Sequence, residues 1–268
     1  SPAPIGAYLN GVFSPEAPRE RGGWVLEDPM PGITLPSPLR VVELPGEALL
    51  VLSKTGKVWR VSPADQSKTL LLDISDRVYA RGDAGAVGLA LHPRFGDPAA
   101  PGRQLLFLYY RTKPAPSEYG EDGFNRLSKF RWDAGRDRFD SASEEILIQQ
   151  FDRSSWHNGG PLFFGPDSFL YLAVGDEGTE DQQAASTQQL TGGFFSGILR
   201  LDVDNDPARS HPIRRQPRAN GPLPDGWTGE TFSQGYSIPN DNPWLSPEGD
   251  FLEEFYAIGL RSPYAMSY

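Results

Sequence analysis

A histidine at the mouth of a strand, beside two glycines, can act as a general base, and Trp156–Gly178 (WHNGGPLFFGPDSFLYLAVGDEG) puts His157 in that setting. Imidazole takes up a proton near neutral pH, and a base must come within about 2.6–3.2 Å of the proton it removes. Gly159 and Gly160 allow close approach of backbone or ligand. The alternative is a histidine hydrogen-bonded to a neighbouring sheet. Arg261, in Gly-Leu-Arg-Ser-Pro, offers a planar fork of donors suited to carboxylates. It either meets a ligand or pairs with a carboxylate of the fold such as Asp176. Asp202, Asp204 and Asp206 alternate along the chain. On a strand they share one face, where repulsion favours a cation such as calcium; the alternative is a solvated strand end. Pro207 stands where an EF-hand loop needs Gly, which excludes that motif. His92 precedes Pro93 and reads as a turn residue, and His211, in Arg-Ser-His-Pro, as a solvent-exposed one. The three histidines have no metal-ligand spacing, and no nucleophile elbow, Walker loop or dinucleotide fingerprint stands in the right context.

Positioning these side chains falls to strands. Apolar runs at Arg40–Leu44, Leu49–Ser53, Val58–Val61 and Thr69–Ile74, split by turn residues, predict a four-stranded meander. A second set falls at Ala86–Leu91, Gln104–Tyr110, Asn125–Trp132 and Glu144–Gln150. A third falls at Pro161–Phe164, Leu170–Val174, Ile198–Val203 and Glu254–Ile258. Ser262–Tyr268 reads as the first strand of a fourth set. Repeated four-strand sets predict an all-β fold of β-propeller type; a β-sandwich is the rival. The blades run at about 39–75, 83–150 and 155–260, with a fourth starting at 262–268 and an insertion at 204–252. Residues 1–38 read as an extended arm that Trp24 and Leu26 pin, and 112–124 as a surface loop. The pairs Tyr109-Tyr110, Phe163-Phe164 and Phe194-Phe195 read as packing.

Composition narrows the function. The 268 residues include 29 Gly and 26 Pro, which suits short strands and turns. A net charge of −10 argues against nucleic-acid or anionic-membrane partners. No apolar run approaches a bilayer span. The absence of cysteine excludes disulfides, thiolate metal sites and thiol nucleophiles within the chain. The start, SPAPIGAYLNGVF, reads as a mature or trimmed N-terminus.

Five segments in order, GAVGLALHPRF (85–95), His157–Gly178, FSGILRLDVD (195–204), YSIPNDNP (236–243) and GLRSP (259–263), resemble the glucose/sorbosone dehydrogenase family. The hedgehog-interacting protein ectodomain looks similar over the same segments. The resemblance implies a six-bladed β-propeller, of which about three blades are present, that binds pyrroloquinoline quinone (PQQ) and calcium and oxidises a sugar. It implies His157 as the base and Arg261 as a cofactor contact. Asp83, Trp156 and Ser262 fall at further cofactor-region positions, where the family more often has Gln or Glu, an acidic residue and Asn. The family's cofactor-calcium site lies beyond the third blade, so the remaining half comes from the same or another chain. An external electron acceptor and a periplasmic or secreted location go with this reading. The alternatives are a noncatalytic propeller that binds a protein or glycan partner, and a structural module of a larger exported protein.

Overall fold

The computed structural model describes residues 25, 27–28, 30–46, 48–113, 122–178 and 187–267. Trp24, Leu26 and most of the expected loop at 112–124 lie outside them. The chain divides into two units, Ser1–Pro31 and Gly32–Tyr268. Residues 32–37, expected as part of the arm, belong to the second: the Ser37 carbonyl accepts the Lys54 amide at 2.9 Å.

Strands β1 (Pro38–Leu44), β2 (Ala48–Ser53), β3 (Lys57–Ser62) and β4 (Ser67–Asp73) form the first sheet, in that order. The second contains β5 (Ala86–Leu91), β6 (Leu105–Arg111), β7 (Gly123–Asp133) and β9 (Glu145–Asp152), with the short β8 (Arg138–Phe139) pairing β7. The third begins with β10 (Leu162–Phe164), β11 (Leu170–Val174) and β12 (Gly197–Leu201). The chain then runs through β13 (Ser210–Pro212), β14 (Phe232–Ser233) and β15 (Ser237–Pro239) before β16 (Phe255–Ile258) closes the third sheet beside β12. All pairings are antiparallel. Each expected strand of the three sets is present within a few residues. The expected strand at 262–268 is not formed over the described residues 262–267; a strand needs a backbone-paired neighbour, and here Tyr264 instead meets the side chain of Arg40 on β1, its carbonyl accepting Nη2 at 2.6 Å.

β6 shows why the sheets stack side by side. Its seven residues are all buried, and successive side chains point to opposite faces. Phe107 and Tyr109 join a core with Leu162, Leu172, Leu199 and Phe255 of the third sheet. Leu106, Leu108 and Tyr110 join a core with Leu50, Leu52, Val58 and Leu72 of the first. Each large apolar side chain so buried contributes about 1.5–3 kcal/mol, so one strand welds three sheets. β5 lies between β1 and β10, which brings the first strands of the three sheets together. The paired aromatics follow suit: Tyr109, Tyr110, Phe194 and Phe195 are buried, and Phe164 packs edge-on against Phe107 with ring centroids 5.4 Å apart.

The insertion at 204–252, expected to be irregular, carries β13, β14 and β15. β13 pairs with β15, while β14 crosses to pair with β9 at the outer edge of the second sheet. His92 is buried; its Nδ1 accepts the Arg94 amide and its Nε2 faces Asp204 at 3.1 Å. His211, expected to be exposed, is largely covered, with its two ring nitrogens 2.9 Å from Asn240 Oδ1 and 3.2 Å from Glu253 Oε2.

Glu254, just before β16, is buried and accepts the Tyr236 hydroxyl at 2.9 Å. Burial first, then the neighbouring Glu253 carboxylate, pushes its carboxyl up to about 7. A carboxyl raised in the folded chain contributes stability below its unfolded value of about 4.5, lost as pH rises through about 7. Glu254→Gln is therefore expected to stabilise the fold at about pH 8 by on the order of 2 kcal/mol and to leave it nearly unchanged at about pH 4. Urea unfolding at the two pH values measures both.

Candidate functional site

β10 and β11 run antiparallel through the Gly165–Ser168 turn. The residues before β10 and after β11 therefore share one end of the sheet. His157 precedes β10 and Asp176 follows β11, and His157 Nδ1 lies 2.7 Å from Asp176 Oδ1. A carboxylate partner puts the ring proton on Nδ1 and leaves the Nε2 lone pair as an acceptor. Nε2 makes no hydrogen bond among the described residues, and the side chain is 12% exposed. His157 holds a left-handed backbone with φ 55°, a conformation uncommon outside glycine. Two glycines make room for it. A Cβ at Gly175 would lie 1.5 Å from the His157 carbonyl oxygen, and one at Gly159, φ 80°, would lie 2.5 Å from that of Ala173.

Other elements converge on the same end. The His157 amide donates to Asp83 Oδ2 at 3.1 Å, so the segment before β5 anchors the loop that bears the histidine. The Asp176 amide donates to the Arg261 carbonyl at 3.0 Å, placing the segment after β16 beside the pair. Ser196 completes the stitch, its amide donating to the Gly175 carbonyl and its own carbonyl accepting the Leu260 amide. The Arg261 side chain is exposed and has no ion-pair partner among the described residues. Asp176 is thus not its partner through side chains. Trp156 is 50% exposed, and Ser262 is half-buried two residues before Tyr264. Lys54 adds a cation near the rim, donating to the Gly82 carbonyl at 2.5 Å.

Beneath the pair lies a buried polar layer. Asp152 accepts from Asn125 at 2.6 Å and Asn158 at 3.0 Å and faces the fully buried Arg111 at 3.4 Å. Burial raises its carboxyl, and Arg111 opposes the rise. Glu177 is 0% exposed. Burial, then the nearby Asp152 charge, pushes its carboxyl up to about 7. The sequence reads Asp176 and Glu177 as strand-end carboxylates that face the channel or cap a turn, and it gives no signal for Arg153 or Asn220. The Gly-Asp-Glu-Gly strand end is the one local signal for the pair's Asp176; Asn220 is brought in by the tertiary fold alone.

The three alternating aspartates do not face one another. Asp202 accepts the Asp204 and Asp206 amides, each at 2.9 Å, and the Ser210 hydroxyl. Asp204 pairs with Arg103 at 2.8 Å, and Asp206 accepts the Ala208 amide at 2.9 Å. The carboxylates serve a turn rather than one strand face. Among the described residues no group of three or more His, Asp or Glu could hold a metal ion, and no helix is long and apolar enough to cross a membrane.

An all-β array whose sheets bring a histidine–aspartate pair to one end defines a class of β-sheet proteins, and comparison with known proteins gives the family. The sequence model of the Glucose / Sorbosone dehydrogenase family matches residues 35–223, and the chain belongs to that family. HIPL2 protein of Arabidopsis thaliana is 27% identical over 258 residues, covering 81% of this chain and 34% of the relative. Human Hedgehog-interacting protein is 27% identical over 229 residues, covering 81% and 28%. Quinoprotein glucose dehydrogenase B of Acinetobacter calcoaceticus is 24% identical over 229 residues, covering 80% and 40%. Among solved structures, the PQQ-bound aldose sugar dehydrogenase of Streptomyces coelicolor has a TM-score of 0.51 at 22% identity, over 70% of this chain and 55% of that one. The chain spans about a third of the first of these relatives and about half of the solved structure.

Proposed function

We propose that the full-length protein is a six-bladed propeller that oxidises an aldose or related sugar with PQQ. The carrying observation is His157 Nδ1 held 2.7 Å from Asp176. The ring then presents Nε2 to take the proton of a sugar hydroxyl, and Asp176 stabilises the imidazolium that results. The residues present fit one side of an anionic, planar cofactor. Arg261 is an exposed fork of donors, Lys54 a second cation, and Trp156 a half-exposed aromatic surface. Bound PQQ would supply the acceptor for the hydride leaving the sugar carbon. Asp83 acts through the backbone by holding the His157 amide. The described residues offer no calcium cage, and no step is assigned to that ion. A sugar, an external electron acceptor and export from the cytoplasm belong to this reading.

The test is cofactor uptake by the full-length protein, followed by aldose-dependent reduction of a dye. Arg261→Ala is expected to raise the PQQ concentration for half-loading about tenfold or more, the worth of one charged hydrogen bond. The likeness to Hedgehog-interacting protein supports a second reading, a noncatalytic propeller that binds a protein or glycan. Intact, folded protein that takes up no cofactor replaces the first reading with the second.

A further inference from the structure

We infer that Glu177 is a positioning residue whose buried carboxylate clamps the loop bearing His157 to the insertion at Asn220. Three segments that are far apart in sequence meet on this one group. Glu177 Oε1 accepts the Arg153 amide and its Nε at 3.4 Å each, and Oε2 accepts Arg153 Nη2 at 3.1 Å. Oε2 also accepts Asn220 Nδ2 at 2.5 Å. Arg153 begins the loop that runs to His157. Asn220 lines a cleft of about 180 Å³ with Gln189, Thr191, Gly192 and Arg218. Glu177 itself follows Asp176 and holds a left-handed backbone at φ 66°, which turns its side chain inward while Asp176 faces the histidine.

Every partner of the carboxylate donates. The ionised form accepts all of them, but its burial and the Asp152 charge oppose ionisation more than these donors favour it. The charged groups around it are Arg153, Asp152 with Arg111 behind it, and the Asp176–His157 pair. Burial first, then the Asp152 carboxylate, resists the ionisation of Glu177 and brings its titration up to about 7. A carboxyl raised in the closed arrangement favours that arrangement while it holds its proton, so the clamp is tight on the acid side and weakens as pH rises through about 7.

Hydrogen exchange on the full-length protein, corrected for intrinsic rates, tests this without relying on turnover. Protection of 153–160 and of 216–221 is expected to fall together, by about tenfold, between about pH 6 and about pH 8. Glu177→Gln abolishes the fall, whereas His157→Ala keeps it. Asn220→Ser, a milder change that serves if Glu177→Gln does not fold, lowers protection in both segments at about pH 6. A wild-type protein without the fall, a Glu177→Gln variant that retains it, or an Asn220→Ser effect confined to 216–221 overturns the clamp. The kinetic consequence rests on His157 being the base: Glu177→Gln changes kcat more than KM and flattens the alkaline limb of the kcat profile. Wild-type protein that never turns over sinks the dehydrogenase reading, while the exchange result still judges the clamp.

Discussion

Replacing His157 with alanine is expected to lower kcat for aldose oxidation by about 10²–10⁴-fold, the usual contribution of a positioned base. The loss should fall on kcat rather than on PQQ uptake, because the imidazole's role is to take a proton and Arg261 remains. The backbone supplies an internal control. His157 sits at φ 55°, where a Cβ costs about 1 kcal/mol relative to glycine. His157→Gly and His157→Ala should therefore lose turnover equally, while the glycine variant unfolds at higher urea. Asp176→Asn tests the partner. An amide no longer fixes the Nδ1–H tautomer or stabilises the imidazolium, so kcat should fall by up to about 10⁴-fold with the fold retained. Steady-state kinetics of the three variants with one sugar and one dye checks the set. Full activity in His157→Gly would remove the base from the mechanism.

Arg111→Met is expected to be the most damaging single change to the fold, at about 3–5 kcal/mol. The guanidinium side chain is 0% exposed, faces Asp152 Oδ2 at 3.4 Å and donates to the Asp152 carbonyl at 2.7 Å. Its removal leaves a buried carboxylate with only neutral donors, the Asn125 and Asn158 side chains and the Ser154 amide, and strips the carbonyl as well. Asp152 escapes part of the cost by holding its proton to higher pH, since burial already raises it. The loss should therefore be larger at alkaline pH than at about pH 5. Asp152→Asn in the Arg111→Met background should recover part of the stability, because the unpaired charge is gone. Urea midpoints of the single and double variants decide the point. A single variant as stable as the wild type would mean that the pair contributes nothing.

The sheets were readable because each strand is an apolar run stopped by turn residues, such as Pro45-Gly46 before β2 or Thr55-Gly56 before β3. β14 was not readable. Two residues, Phe232 and Ser233, hold no periodicity, and only pairing with Gln149 and Ile148 makes them a strand. His157 stood out because an ionisable ring beside Gly159-Gly160 is unusual in an otherwise apolar hairpin. Arg261 was legible by motif, but its position beside Asp176 comes from a backbone bond that no spacing reveals. The aspartates at 202, 204 and 206 misled for a physical reason. Alternation implies a shared face only on a strand, and the regular strand ends at Leu201. Glu177 was invisible as a buried anchor, since its burial depends on Arg153 and on Asn220, supplied by a distant insertion.

The insertion leaves the third sheet, lays β14 against β9 of the second and returns to β16. Arg200 on β12 ties it down on the way back, reaching Asp241 at 2.6 Å and Asn242 at 3.1 Å. A ribbon fastened to two adjacent sheets acts as a strut: neither sheet can swing without stretching it. On the proposed function, the angle between them, and with it the approach to His157, depends on a segment that carries no reacting group. Relatives that shorten or lengthen this strap would retune which ligands reach the histidine while leaving its pairing with Asp176 intact.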